Sequence, residues 1–206
     1  MARLAGEERR KQIIEAAQTA ILDRGLAQAA TRDVTRALGV GSGLLHHYFP
    51  SWLDLRAQAV QLAVDREISE VQVSTSSLGA SESLTYLISW MVEDEDMRHW
   101  RLWLNAMDEA HRDPRLAKVM TSAVQRWHEM VKELIARAQK EGICPGDDPA
   151  IVAWRLTALM DGLAGMALIE GGSMTLEKAR NLLTKQLTLE LGADFNNNQA
   201  GMNSSL

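Results

Sequence analysis

The stretch TRDVTRALGVGSGLLHHYF, residues 31–49, decides the fold. A short helical segment, TRDVTRAL, stops at Gly39. A tight turn around Gly39-Val40-Gly41 follows, and a second short helix runs from Ser42 to Phe49. Two short helices joined by a glycine turn make a helix-turn-helix, and its second helix is the one that enters a DNA major groove. Val34, Ala37 and Leu38 are expected on the inner face of the first helix. Leu45 and Phe49, four residues apart, are expected on the inner face of the second. Ser42, Leu44, His46 and His47 then fall on the faces left over. The glycines let the start of the second helix lie close to a backbone, where its amide dipole favours phosphate. His47 and Tyr48 each bring a hydrogen-bond donor for phosphate oxygens. Two other readings of the adjacent histidines stand beside this one. A metal site is disfavoured because neighbours on a helix point about 100° apart, and no cysteine or nearby carboxylate joins them. A plain solvated surface is the third.

Working outward, EERRKQIIEAAQTAILDRG (7–25) places Ile13, Ile14, Ala17 and Ile21 on one helical face, with Gly25 as the stop. Ser51 is placed to cap a longer fourth helix from Trp52 to about Val73, with Leu55, Ala59, Leu62 and Ile68 inward. STSSLGAS (74–81) is linker-like. Further helices are expected near 82–93, 97–112, 115–141, 149–170 and 175–191. Asp113-Pro114 and Asp148-Pro149 are cap-then-proline starts. Apolar residues recur every three to four positions and no period-2 stretch appears, so the chain reads as all-α. The expected organisation is a helix-turn-helix domain over 1–52 with a connecting helix over 52–73. A regulatory and dimerisation domain over 74–192 follows, then a disordered tail over 193–206.

The 206 residues are 46% apolar and 24% charged, ordinary for a globular chain. The net charge of −5 is unevenly spread: residues 1–50 carry seven Lys/Arg against five Asp/Glu, and the rest fifteen against twenty-two. The positive end is the end that holds the helix-turn-helix. No apolar run reaches the roughly 18 to 20 residues a membrane span needs, and the polar N-terminus lacks the apolar stretch of a signal peptide. A cytoplasmic protein with no membrane partner is expected. Cys144 is the sole cysteine, which leaves no internal disulfide or multi-cysteine zinc site and reads as a loop thiol. No cofactor is implied. There is no nucleophile elbow, phosphate loop or HExxH, so an enzyme is not expected. The EDED run at 93–96 reads as a solvated helix junction with Asp94 or Asp96 as a cap. His99, His111 and His128 lack ligand spacing.

Residues 9–55 resemble the N-terminal domain of TetR-type repressors. The resemblance rests on RRKQIIEAA, ILDRG, TRDVTRALGV and GLLHHYFPSWLDL, with a fourteen-residue step from Gly25 to Gly39. It implies that Thr31 and Arg32 open the second helix against DNA, Thr31 on phosphate and Arg32 toward a guanine edge. By the same resemblance Ser42, Gly43, Leu44 and His46 face bases, while His47 and Tyr48 hold phosphates. The chain departs from the pattern at Ala30, where threonine is frequent, and at Trp52, where lysine is usual. The second departure removes a phosphate contact and should weaken the salt dependence of binding.

The second half resembles the C-terminal domain of the choline-responsive, BetI-like branch, through MRHWRLWLNAMDEAHRDPRL, QRWHEMVKEL and LTALMDGLAGMALIEG. That likeness implies a homodimer through the last two helices. AIVAWRLTALMDGLAGMALI (150–169) is apolar on nearly all faces, so a second copy should cover what its own domain leaves bare. The expected interface residues are Leu156, Leu159, Leu163 and Ala167, with Gly162 and Gly165 allowing close approach.

Five of the six tryptophans lie beyond residue 89, and Met91, Met97, Met107, Met130, Met160 and Met166 accompany them. Trp100, Trp103 and Met107 share one helical stripe. They read either as core and interface or, with Trp127, as an effector cavity of aromatic and thioether groups. Tryptophan faces attract quaternary ammonium groups, and Asp108, Glu109 or Asp161 would supply a counter-charge. The function expected is a ligand-responsive repressor that binds an inverted-repeat DNA operator as a homodimer and is released by a small effector. A helical enzyme and an adaptor without DNA binding are the alternatives.

Overall fold

The computed structural model describes residues 2–93, 96–143 and 146–192. Cys144, Asp94 and the tail beyond 192 lie outside the described residues. Within them every regular element is an α-helix and no strand occurs, in keeping with the 3.6-residue spacing of the apolar positions. The helices are α1 (Ala2–Arg24), α2 (Thr31–Leu38), α3 (Ser42–Tyr48), α4 (Trp52–Thr75), α5 (Ala80–Glu93), α6 (Arg98–Ala110), α7 (Pro114–Lys140), α8 (Pro149–Ala167) and α9 (Leu176–Leu191).

The chain divides into two units. The first is Met1–Glu67 with Arg98–Ala123, and the second is Ile68–Met97 with Val124–Leu206. Helices α4 and α7 each begin in the first unit and end in the second.

In the first unit α1 packs on α2 and α6, and α2 on α3. Ile13, Ala17, Ile21, Val34, Leu45, Phe49 and Leu55 form its core. Ala37 is exposed and Leu38 and Leu62 are half-buried, so the inner faces of α2 and α4 are narrower than their apolar patterns suggest. Gly25 (φ 84°) ends α1 in the left-handed region that favours glycine. Ser51 caps α4: the Asp54 backbone N–H donates to its Oγ at 3.2 Å, and its hydroxyl donates to Asp54 Oδ2 at 2.6 Å.

A cluster of charges around the buried Arg56 and Asp113 lies beside that cap. The Arg56 guanidinium, 9% exposed, donates to Asp113 Oδ2 at 3.0 Å and Glu109 Oε2 at 3.4 Å. Arg115 Nε donates to Asp54 Oδ1 at 2.7 Å. Burial pushes the Asp113 carboxyl up. The Arg56 hydrogen bond, the Arg115 backbone N–H and the two guanidinium charges outweigh it and hold the group below 3.8. These contacts fasten the first turns of α4 to the α6–α7 corner.

In the second unit α9 packs on both α8 and α5. Helix α4 runs two residues past its expected end, because the Thr75 hydroxyl donates to Val71 O at 2.7 Å and is buried. Asp148 caps α8 through Ala150 N–H at 2.9 Å, and Thr175 caps α9 through Lys178 N–H at 3.2 Å. Arg155 on α8 donates to both carboxylate oxygens of Glu190 on α9, at 2.8 and 2.6 Å, and to Asp147 at 2.7 Å. By length and composition α8 is long and apolar enough to cross a membrane, which corrects the expectation that no apolar run reaches that length. One face of it is nonetheless core: Val152, Ala153, Leu156, Met160, Leu163 and Ala164 are buried.

Candidate DNA interface and regulatory residues

The turn between α2 and α3 is built by Gly39. Its φ of 65° lets the Gly39 N–H reach Arg36 O at 3.3 Å and the Val40 N–H reach Thr35 O at 3.1 Å, which closes α2 with a double backbone bond. At the other end of α2, Ala30 has no capping side chain. Asp33 compensates by accepting the Ala30 N–H at 3.0 Å. Asp33 also lies 3.6 Å from Arg24, so its charge is spent inside the motif.

Helix α3 then shows a clean division. Leu45 and Phe49 are 3% and 2% exposed and hold it to the core. Arg10 of α1 lies 5.1 Å from the centre of the Phe49 ring and hydrogen-bonds Gln58 of α4, sealing the inner side. Ser42, Gly43, His46 and His47 are exposed, and Leu44 and Tyr48 are half-buried at the border. The His47 and Tyr48 rings meet edge-on with centres 5.1 Å apart. On α2, Arg32 is exposed and Thr31 half-buried. The eight residues assigned to DNA therefore sit on one helix-turn-helix, with no acidic side chain on α3 to repel phosphate.

The residues assigned to an effector are not brought together within either unit. Trp100, Trp103 and Met107 are on α6 in the first unit. Trp127 is on α7 in the second, where its ring lies 5.3 Å from that of Trp90. Trp100 and Trp103 are buried but Met107 is exposed, so the stripe straddles the edge of the core. All three candidate counter-charges already have partners: Asp108 accepts from Arg112 at 2.9 Å, Glu109 faces Arg56, and Asp161 is engaged as well.

Two of the four residues expected at a dimer interface are enclosed in the core of their own unit. Leu156 and Leu163 are each 5% exposed and belong to the core of the second unit, while Leu159 and Ala167 are half-buried. The apolar face of α8 left bare is the opposite one, with Ile151, Trp154 and Met166; Ile169 just past its end and Leu182 and Leu189 on α9 are bare too. These six are between 45% and 70% exposed. Ala158 and Gly162 lie between them on α8 and are exposed too. Trp154 is braced by His128, stacked on it with ring centres 4.2 Å apart. An all-round apolar helix does not reveal by hydropathy which side its own unit covers, and the packing of α9 decides it.

A helix-turn-helix with an exposed polar recognition helix, carried on a larger helical body, defines a DNA-binding transcriptional regulator. Residues 80–192, more than half the chain, match the family model for the C-terminal domain of BetI-type transcriptional repressors. Residues 13–59 match the model for bacterial regulatory proteins of the tetR family. The chain belongs to the TetR family, with a C-terminal domain of BetI type. It is 25% identical over 185 residues to the HTH-type transcriptional regulator PksA of Bacillus subtilis, spanning 88% of this chain and 89% of that protein. It is 26% identical over 189 residues to the HTH-type transcriptional regulator BetI of Cronobacter sakazakii, spanning 89% and 91%. Among solved structures it resembles a putative transcriptional regulator from Saccharomonospora viridis in complex with choline. There the TM-score is 0.79 and the identity 25%, over 87% of this chain and 95% of that one.

Proposed function

We propose that the chain represses transcription as a cytoplasmic homodimer, binding an inverted-repeat operator through α3 and releasing it when a small organic cation binds. The observation that carries this reading is the division of α3. Its apolar side is fully used by Leu45 and Phe49, which leaves Ser42, Gly43, His46 and His47 facing outward with no internal task. Arg32 and Thr31 extend the same surface from α2, and Tyr48 adds a phosphate donor at its border. The functional division is a DNA-binding domain over 1–52, a connecting helix over 52–73 and a regulatory domain over 74–192.

The bare face of α8 and α9 supports the second copy. On α8 its apolar side chains recur at helical spacing, and exposed apolar surface of this kind marks an interface. A two-fold dimer presents two copies of α3, so the operator should be an inverted repeat. This reading also accounts for the apolar length of α8 without a membrane.

For the effector, α6 supplies the tryptophans, whose faces attract quaternary ammonium groups, and choline in the Saccharomonospora viridis complex is such a cation. DNA and effector must favour different states of the protein, coupled through α4, which both units share. The test is a gel shift with the DNA flanking its own gene, repeated with quaternary amines, aldehydes, fatty acids and drugs. Trp103→Ala should keep operator affinity near wild type but weaken release by the active compound, with tryptophan fluorescence following binding. A Trp103→Ala protein released as readily as wild type would remove α6 from the effector site.

A further inference from the structure

We infer that Leu44 reads a thymine, by apolar contact between its side chain and the 5-methyl group in the major groove. The inference rests on the DNA-binding reading of α3 and gives it a specificity-determining residue.

At about 100° per residue, Leu44 points about 100° away from Leu45 and about 140° from Phe49, the two side chains that hold α3 to the core. It lies about 60° from His47, on the border of the outward face, and it is half-buried rather than enclosed. Gly41 and Gly43 have no side chains, and the space where their Cβ atoms would stand is empty for 4 Å. Every other outward side chain of α3 carries a donor or acceptor and has polar partners to choose from on either phosphates or base edges. Leu44 has neither.

Against DNA, an apolar side chain gains only where it meets an apolar feature. Among the base edges of the major groove, the thymine methyl is that feature. A cytosine, adenine or guanine edge placed there would bury a polar group against leucine without a partner, which costs binding. Leu44 therefore both rewards thymine and penalises the other bases.

The experiment begins by selecting tightly bound duplexes from a random pool with the full-length protein. Each thymine of the selected operator is then replaced singly by deoxyuridine, which removes only the methyl. Wild type should lose about three- to five-fold in affinity at one thymine in each half-site, the worth of one buried methyl group, and nothing elsewhere. Leu44→Ala should bind the thymine and uracil operators equally. Should that variant melt early, Leu44→Met and Leu44→Gln make the same comparison. Methionine should keep the preference for thymine, and glutamine should abolish it. A wild-type protein indifferent to every uracil replacement overturns the inference, as does a Leu44→Ala or Leu44→Gln protein that keeps the full preference. In both cases the selected duplex still binds, so the DNA-binding reading survives. If no duplex is selected, that reading falls and this inference with it.

Discussion

In α3, a Cβ built on Gly43 meets nothing within 4 Å, and its φ lies outside the left-handed region. The fold would accept alanine there. Glycine inside a helix destabilises by roughly 0.5–1 kcal/mol relative to alanine, so Gly43→Ala should stabilise the protein by about that amount in urea unfolding. On the proposed reading, in which DNA approaches the bare backbone at Gly43, the same substitution should lower operator affinity by about ten-fold, on the scale of one lost base contact. An operator affinity that rises or holds with the stability would place Gly43 away from DNA. Gly39 is the opposite case, since its φ of 65° is required by the turn itself. At this scale the sequence was informative. The i, i+4 pair Leu45 and Phe49 marked the inner side of α3, and the residues between them were left to face outward. Asp33 was less visible, because its role depends on Ala30 failing to cap α2, and a capping side chain is read forward from the N-cap rather than back toward it.

At the scale of elements, α4 is held to the α6–α7 corner by the buried pair of Arg56 and Asp113, 3.0 Å apart. Removing one partner of a buried pair strands the other's charge, a loss of about 3–5 kcal/mol. Asp113→Ala leaves Arg56 with Glu109 alone and should fall at the low end of that range by chemical denaturation, while Arg56→Met combined with Asp113→Leu should recover part of it. The pH dependence follows from the lowered Asp113 carboxyl. Its contribution is present above the ordinary carboxylate value of 3.8 and is lost as the pH falls through the lower folded value. Wild-type stability should therefore drop below about pH 4 more steeply than that of the double variant, as followed by urea titrations at stepped pH. The pairing was not legible beforehand, since the partners are 57 residues apart and Asp113 was read only as the cap before Pro114. Helix boundaries were better marked. The Asp-Pro starts of α7 and α8 and the glycine ends of α1 and α2 stood in the sequence where the structure has them. The effector residues show the limit of a helical stripe: its spacing groups Trp100, Trp103 and Met107, but it carries no information on which unit Trp127 joins.

For the whole molecule, the open question in the sequence was which side of an all-apolar helix is spare. Leu156 and Leu163 look no different from Ile151 and Met166 until α9 is laid against α8. The structure puts the spare side at Ile151, Trp154, Met166 and Ile169. Met166→Arg should therefore give a folded monomer by light scattering at micromolar concentration, since its charge stays in water when the partner is absent. Leu163→Arg should instead lose the fold, because it buries an unpaired charge in the core. A Met166→Arg protein that remains dimeric would move the interface elsewhere. The central claim is that two copies of this chain present two α3 helices to one DNA site. Hydroxyl-radical footprinting on the selected operator tests it most directly. The expected result is two protected patches related by a dyad, with centres a whole number of helical turns of about 10 base pairs apart, both lost together with Met166→Arg at the same protein concentration. A single patch without dyad symmetry, protected equally well by the monomeric variant, would contradict it.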